Sequence, residues 1–212
     1  VNYKGIIFDL DGTLTDTLSM CVQAFRQAIE PLSGRSFSDE EIVATFGPSE
    51  EGVIMELVPH EYEKGLAGYL TAYESLLPSS KGLFPGSTEL LSELTAAGIK
   101  LGIVTGKGAG SATITLDRYG LSQFFSDIAT GSPKGSIKAA CIREIVGRWG
   151  FKPDEVLYVG DAPSDITAAR EAGIGIVSVT WSPEADEAAL KALQPDAIAG
   201  RIDELKTWIF KQ

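Results

Sequence analysis

Short, nearly unbroken apolar runs punctuate the chain. Four stand out: Tyr3 to Asp9 (YKGIIFD), Lys100 to Thr105 (KLGIVT), Glu155 to Asp161 (EVLYVGD) and Ile174 to Thr180 (IGIVSVT). A strand with one wet face alternates apolar and polar residues. A run that is apolar throughout suits a strand covered on both faces, as in a parallel sheet. Asp127 to Gly131 and Ala197 to Gly200 are weaker strands of the same kind. Helical stripes lie between them. Ser87 to Ala97 sets Leu90, Leu91 and Leu94 on one face, and Ser136 to Trp149 does so with Ile137, Cys141, Ile142, Ile145 and Trp149. From Ser87 onward strand and helix alternate, which predicts an α/β class with an open, doubly wound parallel sheet flanked by helices.

The interval from Thr17 to Leu83 reads differently. It offers amphipathic helical segments and no good strand. Ser38 followed by Glu41 predicts a capping box opening one helix. Phe46-Gly47-Pro48-Ser49 breaks that helix from the next. Pro78-Ser79-Ser80-Lys81-Gly82 reads as a hinge, and Phe84-Pro85-Gly86 leads back to the sheet. The division expected is therefore a helical insertion, residues 17–83, after the first strand of a core made of residues 1–16 and 84–212.

Composition narrows the function classes. The 212 residues are 44% hydrophobic and 22% charged, with 18 Lys and Arg against 29 Asp and Glu, a net charge of −11. Such a surface repels nucleic acid and anionic lipid, so neither is an expected partner. It also repels a phosphorylated ligand unless a metal ion or a buried cation offsets it. Cys21 and Cys141 have no paired spacing, so they read as core residues of a protein from a reducing, cytoplasmic setting. No run approaches the ~18 apolar residues of a membrane span, and no charged leader precedes an apolar stretch. The length is compatible with a monomer or a homodimer.

In open parallel sheets, ligands bind outside the carboxyl ends of the strands. Three expected strand ends carry chemistry. The first is Asp9-Leu10-Asp11-Gly12-Thr13-Leu14, two carboxylates and a glycine, which suits a hard cation with oxygen ligands. The second, Thr105-Gly106-Lys107-Gly108, offers a hydroxyl and backbone N–H groups at a helix start, which suits a phosphate oxygen. The third, Gly160-Asp161-Ala162-Pro163-Ser164-Asp165, adds more carboxylates. Taken singly, an Asp after a strand is most often a turn or helix cap. Three such ends together describe one phosphate-and-metal pocket.

These residues resemble the motifs of the haloacid dehalogenase-like superfamily, in its phosphatase branch. Asp9 to Leu14 looks like the first motif, Thr105 the second and Gly160-Asp161 to Asp165 the fourth, and the helical insertion matches that family's cap. The resemblance covers nearly the whole chain and is nearest to the phosphoglycolate phosphatase-like subgroup. It implies a Rossmann-like sheet with a small helical cap domain, and a Mg2+-dependent phosphatase acting on a small-molecule phosphate ester. It further implies that Asp9 is the nucleophile that becomes an aspartyl phosphate, and that Asp11 is the acid and base. Mg2+ would be held by the Asp9 carboxylate, the Asp11 backbone carbonyl and Asp161, with Asp165 orienting this shell or the lysine. Thr105 and the Gly106 N–H would bind phosphoryl oxygens. The family's third motif is a lysine, for which Lys134 and Lys138 are the candidates. Lys138 is favoured, although the proline common after that lysine is absent. Gly106 likewise replaces the asparagine often seen after the threonine.

Other readings compete. Gly106-Lys107-Gly108-Ala109-Gly110-Ser111 imitates a GxGxxG dinucleotide loop, but Ser111 stands where the third glycine belongs and Asp9, Asp11 and Asp161 are left idle. No GxxxxGKS or GxxxxGKT loop occurs. The lone histidine, His60, reads as a surface residue. Dehalogenation is disfavoured by the presence of Asp11. A phosphomutase of the β-phosphoglucomutase type is the enzymatic alternative. A non-catalytic phospholigand-binding protein is a further one, disfavoured because Asp9 and Asp11 are both present. In the insertion, Phe46 to Glu51 and Tyr69/Tyr73 are candidate substrate contacts, with helix packing the commoner role for the tyrosine pair.

Overall fold

The computed structural model describes residues 2–211. Six parallel strands form the main sheet: β1 (Gly5–Phe8), β4 (Lys100–Val104), β5 (Asp127–Ala129), β6 (Val156–Gly160), β7 (Gly175–Val179) and β8 (Ala197–Ala199). Their order is β5-β4-β1-β6-β7-β8. β1 is thus central, hydrogen-bonded to β4 on one side and β6 on the other. The chain order reverses at β1, and this switch point opens a crevice at the carboxyl ends of β4, β1 and β6.

The apolar runs follow from burial on both faces. In β1, Ile6 and Phe8 pack with Leu157 and Val159 of β6 and with Leu90, Leu91 and Leu94 of α5 (Ser87–Ala96). Ile7 points the other way, with Val156 and Tyr158, toward Ile142 and Ile145 of α7 (Lys138–Trp149) and Ile166 of α8 (Pro163–Ala172). Helix α10 (Ile202–Lys211) joins α5 on the first face through Leu205 and Ile209, and α9 (Glu187–Ala192) joins the second through Leu190. Burying one such side chain is worth about 1.5–3 kcal/mol.

Four helices occupy the long interval after β1: α1 (Leu18–Ser33), α2 (Asp39–Val43), α3 (Glu50–Leu57) and α4 (Tyr62–Leu76). They share an apolar core of their own, including Phe25, Ile29, Ile42, Ile54, Tyr69 and Tyr73. Tyr69 and Tyr73 are fully buried, Tyr69 with its ring centroid 4.4 Å from that of Phe25. The Ser38–Glu41 capping box opens α2, and His60 is exposed. The ends of the interval meet as a two-stranded antiparallel ribbon, β2 (Thr15–Asp16) with β3 (Gly82–Leu83), closed by a Lys81–Asp16 ion pair at 3.1 Å. This pairing corrects the strandless reading of the interval; two residues are too few to show a period. The helix expected from Ser136 starts instead at Lys138. Helix α6 (Ala109–Arg118), which follows β4, touches both layers: Leu116 joins the sheet core, and Thr115 hydrogen-bonds Tyr73 of α4 at 2.6 Å. Among the described residues no helix is long and apolar enough to cross a membrane.

Candidate active site

Asp9 is the first residue beyond β1, and its N–H still donates to Val159 O of β6 at 2.9 Å. The chain then turns sharply, with Leu14 N and Thr15 N both donating to Leu10 O at 2.9 and 3.0 Å. Gly12 makes that turn possible. Its φ is +80°, and a Cβ there would lie 2.2 Å from Asp161 Oδ2. The close approach lets Thr13 Oγ1 donate to Asp161 Oδ1 at 2.7 Å, so the first strand end grips the loop after β6.

Helix α8 opens with Pro163, and Asp165 accepts the Ala162 N–H through Oδ2 at 3.0 Å, as a helix cap does. Its other oxygen accepts from Lys138 Nζ at 2.6 Å. Lys138, the first residue of α7, also donates to Asp9 Oδ2 at 2.6 Å. The capping role and the charged contact therefore coexist in one side chain. Of the two candidate lysines, Lys138 is buried against these carboxylates, while Lys134 is exposed in the preceding loop.

Carboxylate oxygens of Asp9, Asp161 and Asp165 lie within 4.8 Å of one another, and all three residues are buried. One ammonium serves three acids. Burial raises the Asp9 pKa first, Lys138 opposes it and Asp165 raises it again, leaving it at about 6. Asp161 is pushed well above the carboxylate range by burial and by the charges of Asp165 and Asp9. Burial would lower Lys138, but Asp165 and Asp9 outweigh it and keep the lysine charged. Lys138 and Asp9 thus pull differently: the ammonium is held charged, yet its attraction does not offset the cost of burying the Asp9 carboxylate beside Asp165. The donor set is oxygen only and carries excess negative charge, which suits a hard divalent cation.

Beyond β4, Thr105 is buried and Gly106 half-buried, facing Lys138; a Cβ on Gly106 would lie 3.9 Å from Lys138 Cε. Asp9, Asp11, Thr105, Gly106, Lys138 and Asp161 all line one cavity of about 240 Å³ between the sheet and the helical layer. Its outer wall is apolar, with Leu18, Phe25, Phe46 and Val53 from that layer. Asp11 does not join the Asp9 cluster. Its side chain turns toward the helices, where Oδ1 accepts from Thr17 Oγ1 and Oδ2 meets Lys107 Nζ at 3.0 Å.

The haloacid dehalogenase-like hydrolase family model matches residues 6–179. The chain belongs to that family. Among haloacid dehalogenase-like relatives, the phosphoglycolate phosphatase of Synechococcus elongatus is 34% identical over 196 residues, covering 91% of each chain. The pyrophosphatase PpaX of Bacillus mycoides is 26% identical over 206 residues, covering 94% of each. A haloacid dehalogenase-like hydrolase structure from Streptococcus pneumoniae superposes with a TM-score of 0.78 at 28% identity, covering 98% of this chain and 99% of that one.

Several members of the site carry no sequence expectation. Thr13 and Thr17 are ordinary turn residues by type, and Tyr158 sits inside an apolar run. Its hydroxyl donates to Val104 O at 2.6 Å, behind Asp165. Lys107 stands beside Thr105 in the second motif, and its placement directly after a strand end is the signal that marks it.

Proposed function

We propose that this protein is a Mg2+-dependent phosphatase of small phosphomonoesters that works through a phosphorylated Asp9. The supporting observation is the convergence of Asp9, Asp161, Lys138 and Thr105 from three neighbouring strand ends and α7 onto one cavity, with Asp11 two residues from Asp9. The names of the relatives, phosphoglycolate phosphatase and pyrophosphatase, agree with a phosphoryl-transfer reading.

Asp9 attacks phosphorus; an Asp9 O–P bond forms as the ester P–O bond breaks, and Asp11 gives its proton to the departing oxygen. Asp11 then takes a proton from water, the water oxygen bonds to phosphorus and the Asp9 O–P bond breaks, releasing phosphate. Thr105 and the Gly106 N–H hold phosphoryl oxygens, and Lys138 offsets the charge that spreads over them. Both Asp165 oxygens are already engaged by Lys138 and Ala162 N. That leaves Asp9, Asp161 and the Asp11 carbonyl as the residues to hold Mg2+. When bound, the ion supplies positive charge that lets an anionic nucleophile approach an anionic ester. Residues 17–83 act as a cap domain over a core of residues 1–16 and 84–212, shielding the reaction from water. Phosphate release from a panel of phosphomonoesters, with Mg2+ and with chelator, tests this reading; release should require the metal, and no release from any ester would contradict it.

Metal binding should also show in stability. Asp9 binds its proton more tightly in the folded protein than at the ordinary carboxylate value of 3.8, and Asp161 does likewise. The apo protein therefore loses stability as pH rises from the ordinary value through about 6. A cation on the ionised pair reverses that loss. Saturating Mg2+ should raise Tm more at about pH 8 than at about pH 5, where protons compete for the same oxygens. Equal shifts at both pH values, read by calorimetry, would contradict the assignment.

A further inference from the structure

Lys107 has no part in the chemistry above, yet its side chain is only 1% exposed. Its ammonium lies 3.0 Å from Asp11 Oδ2, 3.6 Å from Glu50 Oε1, 3.4 Å from Cys21 Sγ and 4.3 Å from the centroid of the Tyr73 ring. Burying an ammonium is costly unless its partners compensate fully. Here they do: burial alone would lower the lysine pKa, and Asp11, together with smaller contributions from Cys21, Tyr69 and Tyr73, holds it well above its ordinary value.

Glu50 is the first residue of α3, so it belongs to the helical layer, but its carboxylate is spent on the sheet layer. It accepts from Gly108 N–H and Ser111 Oγ, at the start of α6, and from Tyr69 OH at 3.2 Å within its own layer. Glu50 is buried. A Cβ added to Gly108 would fall 2.5 Å from Glu50 Oε2, so a larger residue at 108 would have to displace the carboxylate from this position. The two layers are thus joined by a buried chain of contacts that runs Glu50–Lys107–Asp11, and Thr17 closes it on the remaining Asp11 oxygen.

We propose that Lys107 and Glu50 are positioning residues for Asp11: the ammonium aims the acid/base carboxylate, and Glu50 anchors the ammonium when the helical layer is seated. The inference rests on the phosphatase reading of the site. A general acid works only when its oxygen reaches the leaving group at hydrogen-bond distance. The Asp11 side chain can rotate, and donors on both of its oxygens fix the direction. One donor, Thr17, lies where the chain enters the helical layer. The other, Lys107, lies on the sheet and is braced from the layer by Glu50. Lifting the layer removes the brace, so the acid is aimed only over a closed pocket.

Leaving-group dependence tests this, because an alkoxide needs a proton to depart and p-nitrophenolate does not. The quantity to compare is kcat/KM, which covers the steps through loss of the leaving group. For Lys107→Met and for Glu50→Gln, kcat/KM on an alkyl phosphate should fall about 10²-fold, the lower end of general-acid effects. On p-nitrophenyl phosphate it should fall less than about threefold, since no proton is needed there. Glu50→Gln keeps an oxygen for Gly108 N–H and offers its amide N–H to the Ser111 hydroxyl, which can also accept, and it carries the test if the Lys107 variant does not fold. A crystal structure of either folded variant should show the Asp11 carboxylate turned away from its present direction. Equal losses on the two esters, no loss on either, or an unmoved Asp11 would overturn the inference while leaving the phosphatase reading intact. Wild-type protein inert toward both esters would overturn that reading, and the inference with it.

Discussion

Asp9→Asn should remove phosphate release from every ester, lowering kcat by at least about 10⁴-fold, as loss of a covalent nucleophile does elsewhere. The fold should survive. The Asp9 charge is held in a site where burial and Asp165 already push its pKa up to about 6, so a neutral amide is no worse a tenant. The single amide oxygen can keep one of the two contacts, from Lys138 Nζ now at Oδ2 or from Leu10 N now at Oδ1, while Lys138 retains Asp165. Steady-state assay paired with thermal unfolding separates the two effects. Activity within tenfold of wild type would contradict the assignment of Asp9.

Lys138→Ala should damage stability and turnover together. The lysine donates to Asp9 and Asp165 at 2.6 Å each, and its removal leaves buried carboxylates with no cation. Breaking a buried pair from one side costs about 3–5 kcal/mol. The linkage has a definite sign. Lys138 is raised above its unfolded value, so its contribution is complete at neutral pH and fades only in strong alkali. Denaturant unfolding at neutral pH should therefore show the full loss, and Mg2+ should restore part of it by neutralising the same oxygens. Lys134→Ala, at an exposed loop position, should change stability by less than about 0.5 kcal/mol and leave turnover intact.

The parallel sheet was legible because Ile6, Ile7 and Phe8 are all apolar, and strands buried on both faces must be. Strand ends were legible for a related reason: Asp9, Thr105 and Asp161 are the first polar residues after such runs, where topology places ligands. What lay hidden was geometry set by distant partners. Asp11 looked like a companion of Asp9, yet its side chain is received by Lys107 and Thr17 and not by the Asp9 cluster. Glu50 falls within the Phe46 to Glu51 stretch read as a candidate substrate contact, but its buried carboxylate is taken up by Gly108 and Ser111 at the start of α6. The β2–β3 ribbon rests on the two residues just before the insertion and its last two, too short for any periodic signal.

The central claim is that three strand ends place a divalent ion and a transferable phosphoryl group against one carboxylate. A crystal structure grown with Mg2+ and beryllium fluoride, a mimic of an acyl phosphate, tests it most directly. The account predicts beryllium bonded to a carboxylate oxygen of Asp9, fluorines beside Thr105 and Lys138, and Mg2+ on Asp9 and Asp161. A fluoride complex bound elsewhere, or an ion that avoids both carboxylates, would contradict it.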